Sequence, residues 1–121
     1  MRKYAQVICP FDVTIRRLYV DVYINGNKYK GLLDTGAQDI LVSDHLIKKE
    51  GLTLTNQLCL IPKINFDGVN DYIIPNLIAR KNNKGFDIEK EGLDIILGVN
   101  CMLFSHISID ESFFSFHYPT K

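Results

Sequence analysis

With 121 residues, 46% of them hydrophobic and 23% charged, the chain has ordinary globular composition and room for one domain with a real core. Its 14 Lys and Arg cancel its 14 Asp and Glu, and the basic pairs Arg2-Lys3, Arg16-Arg17 and Lys48-Lys49 are scattered, which excludes nucleic-acid or anionic-membrane binding driven by net charge. No apolar run approaches the roughly 20 residues that span a bilayer, and "VICPF" is too short for a signal core, so a soluble, cytoplasmic protein is expected.

In chain order, the first clear element is "LYVDVYINGNKYKGLLD". Leu18, Val20, Val22 and Ile24 alternate with Tyr19, Asp21 and Tyr23, the period of a half-buried strand. Asn25-Gly26 supplies the two positive-φ residues of a tight hairpin, and the chain returns through Tyr29 to Leu33. Asp34 then stands at a strand end, before a second apolar run, Ile40 to Val42. "SDHLIKKEGL" predicts a short helix with Ser43 as N-cap, Leu46 and Ile47 on the inner face, and Gly51 as the stop. "LCLIPKINFDGVNDYIIPNLIA" reads as two extended runs around an exposed tip at Asp67-Gly68, with Pro62 and Pro75 confining regular pairing to edges or strand ends. "NNKG", Asn82 to Gly85, is a further turn. Ile95 to Leu97 has the continuous apolar character of a strand buried on both faces. Gly98 breaks it, and Val99 to Phe104 can make one or two helical turns. "ISIDESFFSFHYP" repeats strand, turn, strand, placing Phe113, Phe114, Phe116 and Tyr118 in a terminal strand of the core or of a dimer interface. The sum is an all-β, barrel-like or sandwich-like domain with one or two short helices.

Cys9, Cys59 and Cys101 are odd in number and far apart, the pattern of buried small hydrophobes rather than of a disulfide framework or a metal site. His45, His106 and His117 lack ligand-like spacing, so no metal is expected.

The chemistry concentrates in "KGLLDTGAQDILVS". A carboxylate set between apolar runs is costly unless it is hydrogen-bonded, paired or used. "LLDTGA" at Leu32 to Ala37 and "IILG" at Ile95 to Gly98, whose glycine falls 64 residues after Asp34, together resemble the retropepsin-like, single-domain aspartic proteases, and the resemblance runs from Leu18 to Tyr118. It implies a closed acid-protease-type β-barrel over residues 1–121 and one half of a two-fold homodimer, with no metal and no organic cofactor. The activity it implies is endopeptidase cleavage of an extended peptide or protein, by a water activated between two Asp34 carboxylates, one from each subunit. Asp39, Asp44 and Asp94 lack the Thr-Gly that follows Asp34, so the chain carries one such motif.

By the same resemblance Asp34, Thr35 and Gly36 form the catalytic loop, with Thr35 reaching the partner's backbone and Gly36 letting substrate approach. Phe66, Asp67, Gly68 and Val69 form the tip of a flap that closes over substrate. Ala37, Gln38 and Leu97 complete the substrate-contacting set, Leu97 and Gly98 packing beneath the Asp34 loop. Two departures stand out: the retroviral enzymes carry an ion pair where this chain has Gln38 and Val99, so its loop is expected to be held another way. The inserted helix near His45 to Glu50 also suits cellular and bacterial-type relatives better than viral ones. Ala37 replaces a hydroxyl found in some relatives, which implies activity at weakly rather than strongly acidic pH. The competing readings are a retropepsin-fold dimer that binds peptides or serves assembly without cutting, and an unrelated small β-domain in which Asp34-Thr35-Gly36 is an Asx-turn.

Overall fold

The alternating run forms a tight hairpin, and its register decides where Asp34 lies. In the computed structural model, which describes residues 3–74, 76–82 and 88–121, β1 spans Lys3–Pro10, β2 Leu18–Ile24 and β3 Asn27–Leu33. Val20, Val22 and Ile24 enter the core, and Asn25 and Gly26 have φ of 50° and 80°, the turn whose twist matches that of the two strands. Ile24 faces Asn27 and, at the other end, Leu18 faces Leu33. Asp34 is therefore delivered at the open end of the hairpin.

β4 (Ile40–Val42) leads into α1 (Asp44–Glu50). Ser43 Oγ accepts the Leu46 amide at 3.1 Å, and Gly51, at φ 64°, ends the helix as its amide and that of Leu52 donate to Lys48 O (3.2 Å) and Ile47 O (3.0 Å). Leu46 and Ile47 are buried as the pattern requires. The helix is also fastened to the hairpin turn: the Glu50 carboxylate accepts Asn25 Nδ2 at 3.0 Å, Asn27 Nδ2 at 2.8 Å and the Tyr29 hydroxyl.

The remaining strands are β5 (Leu58–Ile61), β6 (Leu77–Lys81), β7 (Ile95–Leu97), β8 (Ser105–Ile109) and β9 (Phe113–Thr120), with one 3-10 turn at Val99–Cys101. Six of the strands make a mixed sheet in the order β2-β3-β7-β4-β6-β5, and β1-β9-β8 make an antiparallel one. β7 is apolar at every position because both its faces are covered. Ile95 and Leu97 join the main core with Val20, Val22 and Ile40, whereas Ile96 packs with Leu32, Ile88 and Leu93 on the other face.

The connection between β5 and β6 ties the two sheets together. Tyr23 and Asn65 exchange backbone hydrogen bonds of 2.9 and 3.1 Å, and the Ile73 amide donates to Pro119 O at 2.9 Å. Phe66 sits in an aromatic cluster, with ring centroids 5.0 Å from Tyr118 and 5.5 Å from both Phe104 and Phe116. The Tyr72 hydroxyl donates to Cys101 O (2.6 Å) and accepts the Leu103 amide (2.7 Å). The all-β architecture with one short helix and one helical turn is as expected, the sheets being joined by bridges rather than by one continuous ladder.

Some details differ from the sequence reading or complete it. "VICP" belongs to β1, which pairs with β9 from Lys3–Thr120 to Pro10–Phe113; it was hidden because only Val7 and Cys9 of the strand are buried. Phe114, Phe116 and Tyr118 are core residues, but Phe113 is exposed. The three cysteines are free and buried, and burial pushes the Cys9 and Cys101 thiols up to about 11. Pro75, and the "NNKG" turn beyond Asn82, lie outside the described residues. Among those described, no helix is long and apolar enough to cross a membrane.

Partial burial of Glu50 opposes its ionisation, but the donors Tyr29, Asn27 and Asn25 outweigh it and hold its carboxyl below the ordinary 4.5. A depressed acid stabilises the fold above its unfolded value and loses that contribution as pH falls through the folded one. Glu50→Gln is thus expected to lower Tm by several degrees at about pH 7 and by much less at about pH 3. Thermal unfolding of both proteins across that range checks it; an equal deficit at both pH values would mean that the ionised carboxylate is not what fastens helix to hairpin.

Candidate active site

β3 runs out at Leu33 and the chain turns through Asp34-Thr35-Gly36. The Asp34 amide donates to Leu97 O of the neighbouring strand at 3.0 Å, and Asp34 Oδ1 accepts the Gly36 amide at 2.8 Å. The Ala37 amide closes the turn on Asp34 O at 3.1 Å. The Asx-turn considered for this motif is therefore present, and it is also what aims the carboxylate. Asp34 is half-buried in the single chain, while Thr35 and Gly36 are exposed.

A second segment grips the loop from behind. Val99 N donates to Ala37 O at 3.0 Å and Asn100 N to Gln38 O at 3.3 Å, with the Asn100 side chain donating to Asp39 Oδ1 at 3.4 Å. A β-carbon on Gly98 would lie 2.5 Å from Asp39 O and 2.6 and 2.7 Å from the Gln38 carbonyl carbon and oxygen, so only glycine permits this approach. With Gln38 and Val99 in place of an ion pair, backbone hydrogen bonds between residues 34–39 and 97–100 hold the loop. β7 lies between β3, to which it is parallel, and β4, to which it is antiparallel, so strands enter and leave the Asp34 loop on either side of it.

Among solved structures, the crystal structure of a retropepsin-like aspartic protease from Rickettsia conorii superposes with a TM-score of 0.70 at 19% identity, covering all of this chain and 96% of that one. The retroviral protease-like domain of Ddi1 from Leishmania major matches with a TM-score of 0.52, also at 19% identity, over 83% of this chain and 95% of that one. This chain has the retropepsin-like fold. No protein-family model and no curated protein sequence matches it.

In this retropepsin-like chain a cleft of ≈ 370 Å³ opens beside the carboxylate, lined by Asp34, Thr35 and Ala37, by the apolar Leu18, Leu32, Leu33, Leu41 and Ile96, and by Arg16 and Arg17. The two arginines and the leucines were missed as site residues. The signal was available, because extending the hairpin register one step beyond Leu18–Leu33 sets Arg17 across from Asp34. The other acids considered are engaged elsewhere. Asp39 Oδ2 lies 4.0 Å from Arg80, Asp44 lies 3.2 Å from Lys81, and Asp94 Oδ2 accepts the Lys30 amide at 3.0 Å.

Two groups of expected site residues do not line the cleft in the single chain. Leu97 is fully buried and serves the loop through its carbonyl; Ile96, whose side chain points to the other face, is the residue of that strand that meets the cleft. Nor are Phe66, Asp67, Gly68 and Val69 brought to Asp34. Phe66 is captured by the aromatic cluster, and a β-carbon on Gly68 would lie 3.6 Å from the Tyr23 ring, near the turn end of the hairpin. Tyr23 stands five residues along β2 from Leu18, a separation of roughly 16 Å at the usual strand rise. The Asp67 carboxylate is spent within its own loop, accepting the Val69 and Asn70 amides at 2.8 Å each, and Tyr118 clamps the loop by donating to Asn70 O at 2.9 Å.

The close approach at Gly98 makes a sharp prediction. Gly98→Ala is expected to destabilise the fold by at least about 2 kcal/mol, because the clash is with backbone that cannot rotate away. Denaturant unfolding measures it; a loss under about 0.5 kcal/mol would mean that the two segments are not in register as described.

Proposed function

We propose that this protein is an aspartic endopeptidase that acts as a homodimer, with one domain per subunit and one Asp34 carboxylate from each. The observation that carries the reading is the Asp34 loop itself: a half-exposed carboxylate, aimed by the Gly36 amide and gripped from behind by residues 97–100, beside an apolar cleft. Asp39, Asp44 and Asp94 have other partners, which leaves a second copy of Asp34 as the source of a second carboxylate.

Brought face to face across a two-fold axis, two carboxylates share one proton, since like charges at that separation cannot both ionise easily. The ionised member takes a proton from a water as the water oxygen bonds to the scissile carbonyl carbon, and the protonated member donates to the carbonyl oxygen. As the C–N bond breaks, the protonated carboxyl donates to the leaving nitrogen while the other carboxylate takes a proton from a hydroxyl of the tetrahedral intermediate, so that one proton again remains on the pair. Extended substrate is held by backbone hydrogen bonds, with the cleft taking one apolar side chain. In this reading Thr35, exposed beside Asp34, braces the two loops against each other.

Cleavage of a mixed peptide library at about pH 5 by wild type and Asp34→Asn, with dimer mass measured in the same samples, tests this. A dimeric wild type that cuts and a still-dimeric mutant slowed by at least about 10³-fold is the expected result. Dimers of both that do not cut would favour a peptide-binding or assembly module, and a monomer indifferent to the mutation would sink both readings. Because Ala37 offers the carboxylate no hydroxyl donor, the rate is expected to peak at weakly acidic pH; a maximum below about pH 3 would count against that role for position 37.

A further inference from the structure

The cleft beside Asp34 is apolar on its floor but carries two guanidinium groups, and they are not equivalent. Arg17 is engaged, its Nη1 lying 3.3 Å from Glu91 Oε2. Arg16 is exposed and, among the described residues, forms no ion pair. Its position is nonetheless fixed. Asp12 Oδ1 accepts the Thr14 amide and hydroxyl at 2.9 and 2.6 Å, and Asp12 O accepts the Ile15 and Arg16 amides at 3.0 and 3.2 Å. The turn ends with Arg16 in the left-handed conformation, φ 59°, immediately before Arg17, which lines the same cleft as Asp34. A turn thus presents a cation at the rim of an apolar cleft whose wall holds Asp34 and Thr35.

We propose that Arg16 is a specificity residue: it selects peptides that carry an acidic side chain two residues from the apolar side chain that fills the cleft. In an extended peptide side chains alternate, so residues two apart share one face about 7 Å from each other, and one of them can face Arg16 while the other enters the cleft. A carboxylate there meets a planar donor with no ion-pair partner among the described residues, whereas a lysine meets a like charge. Rejection of basic neighbours is thereby part of the same device. The inference rests on the reading of the cleft as an extended-peptide site.

The test uses one cleaved apolar peptide from the library, remade with Glu, Gln or Lys at each position two residues from the cleft-filling side chain. These are assayed with wild type, Arg16→Asn, which keeps a residue suited to left-handed backbone, and Arg16→Glu. Wild type is expected to favour Glu over Gln by about fivefold in kcat/KM at one of the two positions, a preference that weakens with salt. Arg16→Asn should abolish the preference, and Arg16→Glu should turn it toward Lys. Wild-type ratios that survive in Arg16→Asn, or a wild type indifferent to the three peptides, overturn the proposal while leaving the protease reading intact. If no peptide is cut, the protease reading fails separately, and fluorescence anisotropy of the same peptides decides: tighter binding of Glu peptides that Arg16→Asn removes supports the role of Arg16, and equal binding overturns it.

Discussion

The backbone interlock between residues 34–39 and 97–100 is the constraint from which the candidate site follows. Leu97 O receives the Asp34 amide, Ala37 O and Gln38 O receive the amides of Val99 and Asn100, and Gly98 lets the two strands of backbone come this close. These bonds need no particular side chain except the hydrogen of glycine. A fold organised in this way tolerates wide change elsewhere, consistent with a TM-score of 0.70 at only 19% identity. It also accounts for how the loop is supported where Gln38 and Val99 stand in place of an ion pair: backbone hydrogen bonds from Val99 and Asn100 to Ala37 and Gln38 do the holding.

The β2–β3 hairpin is fixed at both ends, and the two ends use different chemistry. At the turn, Glu50 of α1 gathers Asn25, Asn27 and Tyr29 on one carboxylate. At the open end, β7 pairs in parallel with β3 from Gly31–Ile95 to Leu33–Leu97. The carboxylate of Asp34 is therefore positioned by a rigid two-stranded lever with no freedom at either end. Meanwhile Asp39, Asp44 and Asp94 are engaged by Arg80, Lys81 and the Lys30 amide, so these three acids are occupied with structure.

Features governed by local chemistry were legible before the fold was known. Asn25-Gly26 announced the hairpin, Ser43 and Gly51 bounded the helix, and the continuous apolar run at Ile95 to Leu97 marked the strand covered on both faces. Features decided by distant partners were not. Phe66 looked like part of an exposed tip because its neighbours are Asp67 and Gly68, but its fate was settled by Phe104, Phe116 and Tyr118, some 40 to 50 residues later. β1 has too few inward residues to show a period, and only its pairing with β9 makes it a strand. Arg16 and Arg17 fall between: their place at the cleft was encoded in the hairpin register, but nothing about two adjacent arginines says so in isolation.

The order in which the chain leaves the ribosome gives the parallel pairing of β3 with β7 a further meaning. Asp34 is made some 60 residues before Leu97, the partner of its amide, and before Gly98, the glycine that permits the interlock. Joining these segments closes a loop of some 60 residues, an entropic cost that must be met before any of the site's own contacts can form. During synthesis the nascent chain therefore carries the Asp34 carboxylate on an unset loop until residues 97–98 have emerged. Any chemistry that needs the set loop must wait for that segment.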